Sequence, residues 1–259
     1  MSSYGSYKDL GVTLENNVAV VEIQRPPHNF FDFALIQSIA SSFEDLGKDA
    51  DCRAIVLCAQ GKSFCAGADF SGNDDAEGVG RAGDLYREAV RLFRTPKPVV
   101  GAIQGAAIGG GLGLAVMPDF RVASPEARFA ANFTRLGFHP GFGLTVTLPQ
   151  LIGHSKAAMM FYTSRRIKGE EAYEMGLVDV LAPADQLREA AMSLAAEIAE
   201  NSPLGVVETR ATLRGDLAER VRKATDHELE IQERLKETED FAEGVKATAE
   251  RRVPNFKGR

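Results

Sequence analysis

From Pro98 to Pro118 the chain carries no charged residue, a run long enough to cross a bilayer as one helix. It makes a poor single helix, because it contains Gly101, Gly105, Gly109, Gly110, Gly111 and Gly113, together with Gln104. Each interior glycine costs a helix about 1 kcal/mol relative to alanine. The run reads instead as a buried strand at Val99 to Ile103, a tight turn and a buried helix. It has to be enclosed by protein rather than lipid.

Enclosing it takes a large core, and the composition supplies one. The chain has 259 residues, 44% of them hydrophobic and 25% charged, so it is globular rather than disordered and holds one large domain or two small ones. The 36 Asp and Glu outnumber the 30 Lys and Arg, giving a net charge of −6 and a pI near 5.4. That balance argues against nucleic-acid or anionic-membrane surfaces, though not against a local basic pocket for a small anion. The opening MSSYGSYKDL has no charged region followed by an apolar one, so no secretory signal is read and a cytoplasmic location is expected.

The first part alternates strands and helices. Val18 to Gln24 is a near-continuous apolar run closed by the Arg25-Pro26-Pro27-His28-Asn29 turn. Leu35, Ile39, Phe43 and Leu46 recur at helical spacing and predict a helix from Phe33 to Lys48. Ala54 to Ala59 has no polar alternation, which predicts a strand covered on both faces. After a helix ending near Arg94, Val99 to Ile103 and Phe120 to Ala123 are two more strands. Strands separated by helices imply parallel pairing.

Beyond Gly137 helical patterns dominate: Leu144 to Ile152, Ser155 to Thr163, Gly169 to Met175, Ala184 to Glu200 and Leu204 to Leu213. A charged helix from Leu217 to about Glu239 follows, with His227, Glu228 and Glu230 expected on its solvated face. Gly72 to Gly83 reads as a mobile Gly- and Asp-rich loop beside the site. The expected organisation is an α/β core over residues 1–195 and a helical region over 196–259.

Several motifs fail. Gly61-Lys62-Ser63 looks like the end of a phosphate-cradling loop, but the first glycine of that pattern falls on Val56. The glycines at 109, 111 and 113 do not match a dinucleotide fingerprint, whose last glycine falls on Leu114. His28, His139, His154 and His227 are scattered without ligand spacing, so no metal is implied. Cys52, Cys58 and Cys65 form no CxxC pair and read as reduced packing residues; no base accompanies Cys65 as a nucleophile.

The triple glycine does supply chemistry. Backbone N–H groups at a helix start are unpaired and carry the positive end of the dipole. With no side chain at Gly110, a ligand oxygen can approach its N–H, where charge developing on a carbonyl oxygen is stabilised. The same glycines could serve tight backbone packing alone. A second donor is offered by the loop after the Ala54–Ala59 strand, where α/β proteins place ligands.

That loop, Gly61-Lys62-Ser63-Phe64-Cys65-Ala66-Gly67-Ala68-Asp69, carries a resemblance, together with Lys97-Pro98-Val99-Val100-Gly101-Ala102-Ile103-Gln104-Gly105 and Gly109–Gly111. Leu136-Gly137-Phe138-His139-Pro140-Gly141, the Thr163 to Leu177 segment and Asn255-Phe256-Lys257 extend it over almost the whole chain. The sequence resembles the crotonase (enoyl-CoA hydratase/isomerase) superfamily. The resemblance implies a spiral of β-β-α turns and C-terminal helices that build trimers, often paired into hexamers. It implies an acyl-CoA substrate, with coenzyme A arriving as part of the substrate and no permanent cofactor. Ala68 and Gly110 then offer the two N–H groups to the thioester oxygen. Ala66 lies along the adenine, Lys62 meets CoA phosphates, and Arg251 adds a cation from a neighbouring subunit. The Arg25-Pro26-Pro27-His28-Asn29 turn lacks the CoA-binding lysine often found there.

The chain departs from the family over its acids. Hydration in the family uses two glutamates; the resemblance puts them at positions occupied here by Gly113 and Phe133. Neither residue can move a proton or hold a water through charge, and losing a general acid or base typically costs about 10²–10⁴-fold per group. Standard hydration is therefore not expected. His139 is the first candidate for a relocated acid or base, because imidazole titrates near neutrality. Asp69 reads as structural, Asp74, Asp75 and Glu77 as loop acids able to swing in, and Asp119 as a strand-start residue with a backbone partner. Gly113, Phe133, Phe138 and Gly141 are expected at the acyl pocket, with Phe129 and Phe142 as further candidates or as core. Two rivals stand beside the thioester enzyme: a CoA-thioester-binding or assembly protein without chemistry, and a hydrolase of the same fold.

Overall fold

The computed structural model describes residues 2–4, 6–68 and 82–259. A short strand β1 (Ser2–Ser3) pairs antiparallel with β2 (Leu10–Glu15), which turns back into β3 (Val18–Ile23). The reversal needs two residues, Asn16 and Asn17, both at positive φ (51° and 65°). Asparagine tolerates that conformation, which matches the twist of a two-residue hairpin.

Helix α1 (Phe33–Lys48) follows, capped by Asp32, whose Oδ1 accepts from the Leu35 N–H at 2.9 Å. Then come β4 (Ala54–Ala59), α2 (Ala82–Leu92), β5 (Val99–Ile103), β6 (Ala106–Ile108), α3 (Gly110–Val116), β7 (Phe120–Ala123) and β8 (Arg128–Ala130). A single 3-10 turn at Thr134–Leu136 leads to α4 (Leu144–Ile152), α5 (His154–Thr163), β9 (Ile167–Lys168), α6 (Gly169–Glu174) and β10 (Val180–Leu181). The chain continues through α7 (Leu187–Ala199), α8 (Pro203–Arg214), α9 (Leu217–Lys236) and α10 (Glu239–Ala249).

The larger sheet runs β1-β2-β3-β4-β5-β7-β10, parallel from β3 onward, and the smaller runs β6-β8-β9. Each pair of successive strands from β5 to β10 gives one strand to each sheet. That repeated division is the β-β-α spiral, and it makes the molecule a crotonase-like α/β fold.

β4 shows why its sequence lacks polar alternation. Ile55, Leu57 and Ala59 enter the main core with α1, while Ala54, Val56 and Cys58 face Leu187, Ala191, Ala195 and Ala199 of α7. Both faces are covered, as a buried parallel strand requires. Helix α7 spans residue 195, the point at which the helical region was expected to begin. The uncharged run from Pro98 to Pro118 becomes β5, β6 and α3, and no described helix is long and apolar enough to cross a membrane.

Two expectations about the C-terminal part are corrected. The helix expected from Leu217 to about Glu239 is α9, ending at Lys236, but a further helix follows it: Thr238 adopts an extended ψ of 150° and its Oγ1 caps α10 by accepting from Phe241 N–H at 3.1 Å. Glu228 is not on a solvated face. It is fully buried, because the N-terminus of α4 packs against that side of α9 and the carboxylate satisfies it. His227 and Glu230 are exposed as expected.

Candidate functional site

The loops leaving β3, β4 and β5 are tied together through the backbone. Asn29, fully buried, accepts from Arg25 N–H at 3.0 Å and donates through Nδ2 to the carbonyls of Gln60 and Ser63, both at 2.7 Å. Ala66 N–H donates to His28 O and Phe31 N–H to Gly67 O, each at 3.0 Å. On its other side the loop meets β6: Cys65 N–H donates to Ala106 O at 2.9 Å, and Ile108 N–H returns to Cys65 O at 3.1 Å.

So close an approach needs glycine at two points. A Cβ on Gly105 would collide with the Lys62 carbonyl oxygen, and one on Gly111 with that of Cys65. Gly109, at φ 58°, then swings the chain into α3. These contacts bring Ala68 and Gly110 to one cavity, which both residues line. Among the described residues, neither the Ala68 N–H nor the Gly110 N–H has a backbone acceptor.

The cavity holds about 290 Å³. Phe30, Phe31, Phe133, Phe138 and Phe142 give it an aromatic wall, extended by Leu85, Ile108 and Leu136. Phe31 and Phe142 meet edge to face with centroids 5.7 Å apart, a favoured aromatic geometry. Polar side chains come from Tyr86 on α2, Asn132 after β8, Gln232 and Lys236 on α9, and Thr248 on α10. Gln232 and Lys236 are four residues apart and therefore share a helix face.

Of the residues expected from sequence, Ala66, Ala68, Gly110, Phe133, Phe138 and Gly141 line this cavity. Gly113 does not reach its wall. Phe142 packs over it, with side-chain carbons 2.7–2.8 Å from where a Cβ would stand. His139 is likewise outside the lining: its Nδ1 lies 2.8 Å from the Pro140 carbonyl. Phe129 is fully buried on β8, in the core. Lys62 and Arg251 are exposed away from the lining. Asp69, Asp74, Asp75, Glu77 and the Gly72 to Gly83 loop up to residue 81 lie outside the described residues.

Asp119 has the expected backbone partner, accepting from Val99 N–H at 2.8 Å, and also pairs with Arg210 and Arg214 at 2.8 and 2.9 Å. Cys52, Cys58 and Cys65 are buried free thiols pushed up to about 12 by desolvation. They are packing groups rather than nucleophiles. Among the described residues no group of three or more His, Cys, Asp or Glu is placed to hold a metal.

Tyr86, Gln232 and Glu228 were not singled out from sequence as site residues. Tyr86 O–H donates to Gln232 Oε1 at 2.8 Å across 146 residues of chain, and Gln232 Nε2 donates to His139 O at 2.9 Å. Burial, then the nearby Glu228 carboxylate, raise the Tyr86 phenol above its ordinary pKa and keep it protonated. Glu228 accepts from Gly143 N–H at 2.8 Å, Thr145 N–H at 3.1 Å and Thr145 Oγ1 at 2.5 Å. Those bonds favour its charged form, yet burial outweighs them and its pKa is raised. No local motif marks these residues; only the meeting of α2, α4 and α9 makes them neighbours of the site.

Fold and cavity together define a crotonase-type protein, a two-sheet spiral whose strand-end loops enclose an apolar chamber. The chain belongs to the enoyl-CoA hydratase/isomerase family, whose pattern it matches over residues 13–259. It is 33% identical over 260 residues to a probable enoyl-CoA hydratase of Bacillus subtilis, covering 96% of this chain and 98% of the relative. It is 30% identical over 253 residues to the 2,3-dehydroadipyl-CoA hydratase of Escherichia coli, covering 97% and 99%. The crystal structure of an enoyl-CoA hydratase/isomerase from Pseudoalteromonas atlantica superposes with a TM-score of 0.88 at 30% identity, covering 96% and 100%.

Proposed function

We propose that this chain acts on an acyl-CoA thioester, polarising the thioester carbonyl through the N–H groups of Ala68 and Gly110 and stabilising the enolate that forms. The observation that carries this reading is the tie between the two loops through Cys65, Ala106 and Ile108, which supplies both residues to one mainly apolar cavity. Donors fixed by backbone pairing need no reorganisation as charge develops, and this type of preorganised stabilisation is often the largest single contribution to catalysis. Coenzyme A enters as part of the substrate, with Ala66 beside its adenine and Lys62 near its phosphates. Arg251 serves the nucleotide end from a neighbouring copy in a homotrimer or a dimer of trimers. The location is cytoplasmic.

The reaction is not standard hydration. Phe142 fills the space over Gly113, and Phe133 forms part of the cavity wall, so neither position offers an acceptor for water. Turnover of crotonyl-CoA to its hydrated product is expected to fall at least about 10²-fold below that of a two-glutamate hydratase. The test incubates the protein with a panel of acyl-CoA thioesters and looks for new products by mass spectrometry. Product that disappears in Gly110→Pro, which removes one N–H, supports the enzyme. Binding across the panel without any product favours a thioester-binding protein, and absence of CoA affinity favours a hydrolase of other substrates. Fast crotonyl-CoA hydration would show that Gly113 and Phe133 have been given too much weight.

A further inference from the structure

Phe31, between β3 and α1, touches both residues that supply the thioester amides, one through its backbone and the other through its ring. Its N–H donates to Gly67 O at 3.0 Å, and Phe31 and Ala68 face each other in a parallel bridge. A residue in such a bridge bonds the neighbours on either side of the one it faces. The Ala68 N–H is therefore left pointing away from Phe31, free for a ligand.

The ring reaches the other donor. Its Cζ and Cε1 crowd the place a Gly110 Cβ would take, Cε1 standing 2.7 Å from that point, so the ring rests on the Gly110 Cα. The ring also meets Phe142 edge to face, and Phe31 is only 4% exposed. Upstream, Ile108 N–H and Gly109 N–H donate to the carbonyls of Cys65 and Ala130 at 3.1 and 2.8 Å. Those bonds stop one residue short of Gly110, and what stands against its Cα is the aromatic ring.

We propose that Phe31 is a positioning residue: with its backbone docked beside Ala68 and its ring wedged on Gly110, it sets the separation of the two amides so that both reach one thioester oxygen. This rests on the thioester reading above. Stabilisation by such a pair needs each donor within about 2.7–3.1 Å of the oxygen. A drift of about 1 Å costs on the order of 10²-fold in rate. A ring locked by packing holds that tolerance better than a side chain free to change rotamer.

The experiment binds butyryl-CoA with an isotope-labelled thioester carbonyl to the full chain and reads the carbonyl stretch by isotope-edited infrared spectroscopy. The wild type is expected to move the band to lower frequency than in water. Phe31→Leu and Phe31→Met keep an apolar side chain in the core and are expected still to bind butyryl-CoA. They are expected to lose about half of the shift, as one of two donors drifts out of reach. Phe43→Leu, in the same core but outside the cavity lining, is expected to keep the full shift. A wild-type band in both Phe31 variants overturns the role of Phe31, as does an equal loss in Phe43→Leu, which marks general softening of the core. Loss of butyryl-CoA binding in both Phe31 variants also overturns it, since the ring then serves the ligand or the fold rather than amide spacing. Each of these leaves the thioester reading standing. An unshifted band in the wild type, or no binding by it, overturns both.

Discussion

Glu228 is a carboxylate held by three donors, but so fully buried that its proton is retained above the usual glutamate range. A carboxyl group whose pKa is higher in the folded state leaves that state binding more protons, so stability falls as pH rises from the ordinary glutamate value towards the raised one. Tyr86 is a titratable neighbour that feels its charge. Glu228→Gln removes the ionisation. The unfolding free energy of the variant relative to wild type is therefore expected to become more favourable as pH rises across that window, as read from denaturant midpoints. A difference independent of pH, or one that moves the other way, would show that the buried charge carries no such cost. This residue also marks a limit of sequence reading. Its helical position among charged neighbours suggests solvent, and only the packing of α4, more than eighty residues away in sequence, buries it.

Among the elements, α1 and β4 were legible to the residue because their signals are local: apolar residues at helical spacing, and a short apolar run without alternation. Helix α10 was not, since no helix was expected beyond about Glu239 and the Thr238 cap that starts it shows only in the backbone. Asp119 illustrates a second kind of partial legibility. Its place at the start of β7 predicted a backbone partner, but its pairing with Arg210 and Arg214 ties α8 to the edge of β5 and β7. Asp119→Ala is expected to leave two poorly solvated guanidinium groups and to cost about 3–5 kcal/mol, as breaking a buried ion pair does. Chemical denaturation measures it. A loss below about 1 kcal/mol, the range of surface pairs, would mean that solvent already screens this cluster.

For the molecule as a whole, the residues themselves pointed to a parallel α/β core and to ligand loops at its strand ends, while the spiral was expected only from the family resemblance that the ordered glycine motifs carry. The chamber between them was only partly readable. Phe133, Phe138 and Gly141 line it as expected, whereas Phe142 takes the place over Gly113, and the polar groups of the wall arrive from α2, α9 and α10. Such convergence is a property of tertiary packing and has no signature in any one segment. The most direct test of the account is a crystal structure of the protein with an acyl-CoA thioester bound. The account predicts the thioester oxygen within about 2.7–3.1 Å of both the Ala68 and Gly110 nitrogens, with the acyl chain among the phenylalanines. An oxygen bound elsewhere, with either amide turned to another protein atom, would contradict it.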